Sequence, residues 1–387
     1  MNSGNENNKS DDGKLDGERI AKGIGEWVSI ESPTHDRDAV NAMADHVQAE
    51  CQAVGLEVER TPGEDGWGDL VRARTGGARN GEKGILVLSH IDTVHPIGTK
   101  DGDNRIRREG DKLHGPGIHD MKAGAYLAYC AYARLVGLGG KPTLPVTFMY
   151  VPEEEIGSPY SRKYIEEEAR RAKYVLVPEP SRDGGKAVVA RKGVARFVIK
   201  ATGRPAHSGG QHEDGRSSIK ELARQIIAIE AMTDYQRGIT FNVGLINGGT
   251  GVNVVPRECE MEIDMRAVSM ADGEEFCARI HGLGPNDPDV SLEITGGMNR
   301  PPFELTEATK GLFEFARAVS LEHDFDLQYT SISGGGSDGN FTAALGVATL
   351  DGMGADGFGA HTLDEHILVS SLAPRARTWM KLLERLD

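Results

Sequence analysis

Long apolar runs are missing from this 387-residue chain. The longest candidates, such as Ile85 to Leu88, are strand-sized, far below the roughly 20 residues that span a bilayer. A membrane-embedded protein is therefore not expected. The opening stretch, Met1 to about Lys14, holds Asn, Ser, Gly, Asp and Lys and lacks the apolar centre of a signal peptide. It reads as a disordered tail over residues 1–14. Positive charge is also short: 44 Lys and Arg face 59 Asp and Glu, a net charge of -15. Such a field repels phosphate backbones and anionic lipid heads, so neither nucleic acid nor membrane is expected as a partner. Cysteine is scarce. Cys51, Cys130, Cys259 and Cys277 lie far apart in apolar segments without CxxC spacing, which favours reduced core thiols over disulfides and a cytoplasmic location.

What is present is enough chain for two domains, or for one domain carrying a large insertion. Met43, Val47, Cys51 and Val54 recur at helical spacing, Gly55 supplies a stop, and a strand is expected near Leu56 to Arg60. Apolar strands follow at Ile85 to Ser89, Val146 to Val151 and Tyr174 to Val177, separated by helices at Met121 to Val136 and Ser161 to Ala172. Strands alternating with helices imply an α/β unit with a mostly parallel central sheet. From about Val194 the pattern alternates, at Ala195 to Ala201, Thr240 to Ile246 and Glu258 to Arg266. Between the first two lies a helix with Ser218 and Glu221 in capping-box spacing and Leu222, Ile226 and Ile229 on one face. This α+β unit closes near Pro301-Pro302. Helical spacing at Leu312, Phe315 and Val319 and a strand at Val347 to Leu350 then resume the first texture. The expected organisation is a catalytic domain of residues 15–193 and 303–387 interrupted by an inserted domain, 194–302.

In open α/β sheets ligands bind at the carboxyl ends of the parallel strands. Here those ends carry His90-Ile91-Asp92, Pro152-Glu153-Glu154-Glu155 and Pro178-Glu179. Each alone is unremarkable: a His-x-Asp pair is often a polar strand end, and three glutamates are usually a solvated face. Together they bring His and carboxylates to one rim, where like charges repel unless a cation sits among them. A divalent metal answers that need, and imidazole plus carboxylate without thiolate suits zinc, cobalt or manganese. Asp120, in Gly115-Pro116-Gly117-Ile118-His119-Asp120, stands at a helix start, either as an N-cap or as a bridge between two metals. His361 follows a further strand in a Gly-rich loop.

With these residues in view, the chain resembles the co-catalytic zinc exopeptidases and deacylases, the family of glutamate carboxypeptidase, succinyl-diaminopimelate desuccinylase and acetylornithine deacetylase. The motifs are Ser89-His90-Ile91-Asp92-Thr93-Val94, Gly115-Pro116-Gly117 through Asp120-Met121-Lys122, Glu153-Glu154-Glu155 with Gly157-Ser158, Pro178-Glu179-Pro180, and Ala360-His361 with Glu365. The resemblance runs from about Gly17 onward. It implies a phosphorylase/hydrolase-like α/β catalytic domain and an inserted lid and dimerisation domain, hence a homodimer. It also implies two divalent metal ions, zinc before cobalt or manganese. Asp120 would bridge them, with His90 and Glu179 on one and Glu155 and His361 on the other. Asp92 would orient His90, and Glu154 would act as general base towards a metal-activated water.

The same resemblance makes His207, in Ala206-His207-Ser208-Gly209, and Asn253 substrate contacts from the lid. It also places the loop Gly334-Gly335-Gly336-Ser337-Asp338-Gly339 against substrate, with bare amides at Gly335 and Gly336 able to cradle a carboxylate. That loop matches GxGxxG, yet no leading βαβ unit surrounds it, so a nucleotide-binding oxidoreductase is a distant reading. Arg300, before Pro301-Pro302, is a candidate carboxylate anchor. The expected activity is hydrolysis of a C–N amide or peptide bond in a small carboxylate-bearing substrate, of carboxypeptidase or N-acyl-amino-acid amidohydrolase type. His119 and Gly251 depart from the family pattern and motivate an alternative, an aminohydrolase releasing ammonia from an aromatic or heteroaromatic acid. A binding protein without activity is the reading from another class.

Overall fold

The computed structural model describes residues 15–76 and 82–387, so the expected 1–14 tail lies outside the described residues. The described chain falls into two compact units: residues up to Val188 with Thr306–Thr330 and Val347–Asp387, and Val189–Leu305 with Ser331–Gly346. The sequence pattern alone puts these divisions at 193/194 and 302/303 and keeps the glycine-rich segment with the first domain, whereas 331–346 groups with the second unit.

In the first unit a six-stranded sheet runs in the order Glu57–Thr61, Leu70–Arg74, Val146–Val151, Gly84–His90, Ala172–Leu176, Ala348–Leu350. The last four strands are mutually parallel, and the first two add antiparallel at one edge, so the sheet is mixed. Their buried residues are near-continuous, as central parallel strands require: Ile85, Leu86, Val87 and Leu88 are all 1% exposed. The first helices are capped locally. Asp36 accepts the Ala39 N–H at the start of Arg37–Ala53, whose Val40, Met43, Ala44, Val47 and Cys51 are buried.

One expected helix starts late. The periodicity starts it at Met121, but Asp120 and Met121 have non-helical φ/ψ, so the α-helix is Ala123–Gly137 behind an irregular turn, Ile118–Lys122. Helical spacing continues through that turn, which is why periodicity alone did not reveal it. All four cysteines are free. No helix among the described residues is long and apolar enough to cross a membrane.

The second unit is a four-stranded antiparallel sheet in the order Thr240–Gly248, Glu258–Ala267, Gly193–Thr202, Ser291–Arg300. Helices Ser218–Glu230 and Met270–His281 pack on it through Leu222, Ile229, Phe276 and Ile280. The helix Met270–His281 and the strand Ser291–Arg300 were not foreseen. Gly296-Gly297 interrupts the alternation in that strand, yet Gly296 is required there: it has φ 102°, and a Cβ on it would lie 2.1 Å from the Arg196 carbonyl oxygen. The capping box is corrected by one residue. The N-cap is Ser217, which accepts the Lys220 N–H, while Ser218 is inside the helix and donates to the Pro256 carbonyl.

Candidate metal centre

The parallel strands of the first unit deliver their carboxyl ends to one place, and buried Asp92 organises it. Its carboxylate accepts the Thr34 hydroxyl at 2.7 Å and the backbone N–H groups of Glu154 and Glu155 at 3.1 and 3.3 Å. This locks the Glu153–Glu155 turn against the end of the neighbouring strand. The His90 Nδ1 lies 3.0 Å from the Asp92 carbonyl and 3.3 Å from its carboxylate. Oxygen acceptors on that side fix the proton on Nδ1 and leave the Nε2 lone pair pointing the other way.

What Nε2 meets is Asp120 Oδ1 at 3.1 Å and Glu179 Oε1 at 3.8 Å. The second Asp120 oxygen, Oδ2, lies 3.4 Å from Nε2 of His361, which is also 3.0 Å from Glu155 Oε2. Asp120 thus presents one oxygen to each imidazole. His361 sits at φ 65°, an uncommon conformation for a non-glycine residue, in a half-exposed loop. Ligand atoms of His90, Glu154 and Glu179, and likewise of His90, Asp120 and Glu155, gather within 4.8 Å of one another.

The electrostatics follow from burial and proximity. Burial works against charge on His90, but Asp120 and Asp92 outweigh it and lift the imidazole well above its ordinary value. Asp120 is held well below the usual carboxylate range against its burial by His361 and His90. Contact with Asp120 and Glu155 lifts His361 to about 11. Burial raises Glu155. Four carboxylates and two imidazoles form a donor set with excess negative charge, and Oε1 of Glu155 is buried without a hydrogen-bond partner. Divalent cations fit this set: they would neutralise the carboxylates and give the orphaned oxygen a partner.

Glu365 holds the turn that carries Asp120. Completely buried, it accepts the N–H groups of Gly117, His119 and Asp120 at 2.7, 2.8 and 2.9 Å and faces His95 Nε2 at 2.8 Å. Gly117 adopts φ 67° beneath Thr93, where a Cβ would come within 2.3 Å of the threonine methyl. Neither Thr34 nor His95 was singled out from sequence, because no periodic or motif signal marks a single polar residue in a loop. His119 is buried, and burial pushes its imidazole down to about 4. Its ring is not among the gathered ligand atoms.

Seven of the expected site residues, His90, Asp92, Asp120, Glu154, Glu155, Glu179 and His361, are therefore brought together in the first unit. His207, Asn253, Arg300, Gly335 and Gly336 lie in the second. There His207 pairs with Val254 in an isolated bridge, and the Ser208 N–H donates to the Asn253 carbonyl at 3.0 Å. His207 Nδ1 accepts the N–H groups of Gly209 and Gly210, so its other ring nitrogen carries the proton. Arg300 is buried, pairs with Asp338 at 3.0 Å and lies over the Phe341 ring. The carboxylate it holds is thus the chain's own. Gly336 packs under its side chain, where a Cβ would meet Arg300 Cδ at 3.0 Å. The glycine-rich loop follows a two-residue strand and opens a six-residue helix, Gly339–Ala344, which is not the setting of a dinucleotide fingerprint.

The model of peptidase family M20/M25/M40 matches residues 86–385. The chain belongs to that family. Among its relatives, carboxypeptidase G2 of Pseudomonas sp. (strain RS-16) is 29% identical over 365 residues, covering 92% of this chain and 86% of the relative. Succinyl-diaminopimelate desuccinylase of Acinetobacter baumannii (strain AYE) is 26% identical over 330 residues, covering 80% and 85%. A tripeptidase structure from Staphylococcus aureus superposes with TM-score 0.74 at 20% identity, over 96% of this chain and 98% of that one. An M20 metallo-carboxypeptidase from Sulfolobus solfataricus gives 0.74 at 18%, over 94% and 98%. These structures share the fold. The M20 chain is an enzyme, a metal-dependent hydrolase of amide or peptide bonds.

Proposed function

We propose that this hydrolase is a carboxypeptidase or N-acyl-amino-acid amidohydrolase, acting on a small substrate that bears a carboxylate beside the scissile C–N bond. The observation that carries the reading is Asp120 offering one oxygen to His90 and the other to His361. Asp120 together with His90 and Glu179, and with Glu155 and His361, would hold two divalent ions, zinc by donor type. When bound, such ions lower the pKa of water and stabilise the oxyanion that develops on the carbonyl.

Glu154, nearly buried and fixed through its backbone N–H to Asp92, accepts a proton from the attacking water. It then returns that proton to the leaving nitrogen as the tetrahedral species collapses. Asp92 keeps His90 in one tautomer throughout. In the second unit, His207 offers an N–H donor suited to a substrate oxygen, and Asn253 and the amides of Gly335 and Gly336 supply further polar contacts. Arg300, committed to Asp338, positions that glycine loop. We further propose a cytoplasmic location, in keeping with four free thiols, and a homodimeric assembly.

The test is hydrolysis by zinc-reconstituted protein across N-acyl amino acids, dipeptides and aromatic amino acids, with released amine and ammonia measured separately. Amine release from carboxylate-bearing amides, lost when the carboxylate is replaced by a carboxamide, is expected. Ammonia as the sole nitrogen product would replace the reading with an aminohydrolase.

A further inference from the structure

A second sheet in the first unit consists of four short strands in the order Gly357–Phe358, His366–Leu368, Lys112–His114, Arg107–Glu109. His366 and His114 are opposite one another across its central antiparallel pair, and their rings lie 5.0 Å apart. Cross-strand partners on one face are close enough for their side chains to act together. Asp364 Oδ1 is 3.6 Å from His114 Nδ1, and Glu109 Oε2 is 3.6 Å from His114 Nε2. One ligand atom from each of His114, Asp364 and His366 lies within 4.8 Å of the others. None of these residues belongs to the centre around Asp120.

Two observations point to a ligand here. The His114 side chain is only 1% exposed, and neither of its ring nitrogens has a hydrogen-bond partner, which buried polar groups rarely tolerate. His366 Nδ1 lies 2.7 Å from the Asp364 carbonyl, an oxygen that can only accept, so Nδ1 carries the proton and Nε2 keeps its lone pair. That is the arrangement by which proteins orient a metal-binding imidazole.

We propose that His114, His366 and Asp364 form a separate divalent-cation site. Two imidazoles and one carboxylate with an open fourth position suit zinc, and water would complete the shell. The ion would tie the segment between Phe358 and His366, which carries His361, to the strand Lys112–His114. It would act as a clamp beside the catalytic loop and take no part in proton transfer.

The experiment counts zinc by mass spectrometry at buffered micromolar free zinc, in the full chain, in His114→Gln/His366→Gln and in Asp364→Asn. The double variant is expected to hold one zinc fewer per chain. Asp364→Asn alters an exposed side chain, leaves both strands intact and is expected to fall below the parent count at the same free zinc. Asp120→Ala, which disturbs the other centre, is expected to retain the clamp ion: adding His114→Gln to it removes one more. Equal counts in the parent, the double variant and Asp364→Asn, with matching circular dichroism, would overturn the proposal. If the double variant does not fold, an unchanged count in Asp364→Asn overturns it alone.

Discussion

Glu365 and Asp120 are 245 residues apart, yet the Glu365 carboxylate accepts the Asp120 backbone N–H at 2.9 Å. The same group also accepts from Gly117 and His119, so one buried carboxylate sets the path of the turn that aims Asp120 at both imidazoles. The carboxylate expected to bridge two metals is therefore positioned from the far end of the chain.

Glu365→Gln should accordingly damage metal binding without touching a ligand. An amide has one acceptor oxygen where the carboxylate uses two, so at least one buried N–H loses its partner, at a cost of about 1–3 kcal/mol. The expected result is a lower melting temperature together with a zinc affinity reduced roughly 10- to 100-fold. Zinc titration that leaves affinity unchanged would show that the turn holds its course without Glu365.

Asp92→Ala removes the acceptor shared by Thr34, Glu154 and Glu155 and one of the two oxygens that face His90 Nδ1, leaving only the backbone carbonyl. Zinc affinity should again drop about 10- to 100-fold, and kcat should fall as well because Glu154 is no longer held. An effect on KM alone would mean that Asp92 serves substrate binding instead.

Most of the centre was legible in the sequence because parallel strands place the residues that follow them on one rim. His90, Glu154, Glu155 and Glu179 were found by that rule, and His361 by its loop after a further strand. The turn at Asp120–Met121 was not legible, since the apolar spacing of the following helix runs through it and only the backbone angles break. The strand Ser291–Arg300 was hidden for the opposite reason. Its Gly296-Gly297 pair reads as a loop, although the close approach of Arg196 is what demands glycine there.

Gly296→Ala should therefore destabilise the second unit, because a methyl group must fit 2.1 Å from a carbonyl oxygen at a φ unfavourable to alanine. A loss of at least about 2 kcal/mol is expected from strain of this kind, read as a shift of the denaturant midpoint. Gly311→Ala, in an exposed helical position with open space around its Cα, is the matching control and should be neutral or stabilising.

The stability of the second unit should also depend on pH through Glu221. Burial alone would raise this carboxyl, but it accepts from the Asn286 backbone and side chain, from Gln225 and from the Asp287 backbone, and the net effect is a lowered pKa. A group depressed in the folded state contributes stability above its unfolded value, about 4.3 for glutamate, and loses it as pH falls through the folded value. Urea unfolding should thus show parent and Glu221→Gln well separated at pH 7 and converging below pH of about 4. A constant separation across that range would assign the effect to packing.

The most direct test of the account is Glu154→Gln, assayed on the preferred amide with zinc content measured on the same sample. Glu154 is placed as the group that moves the proton, so kcat should fall by several orders of magnitude while bound zinc stays at the parent level. Turnover at the parent rate with the same zinc content would contradict the mechanism.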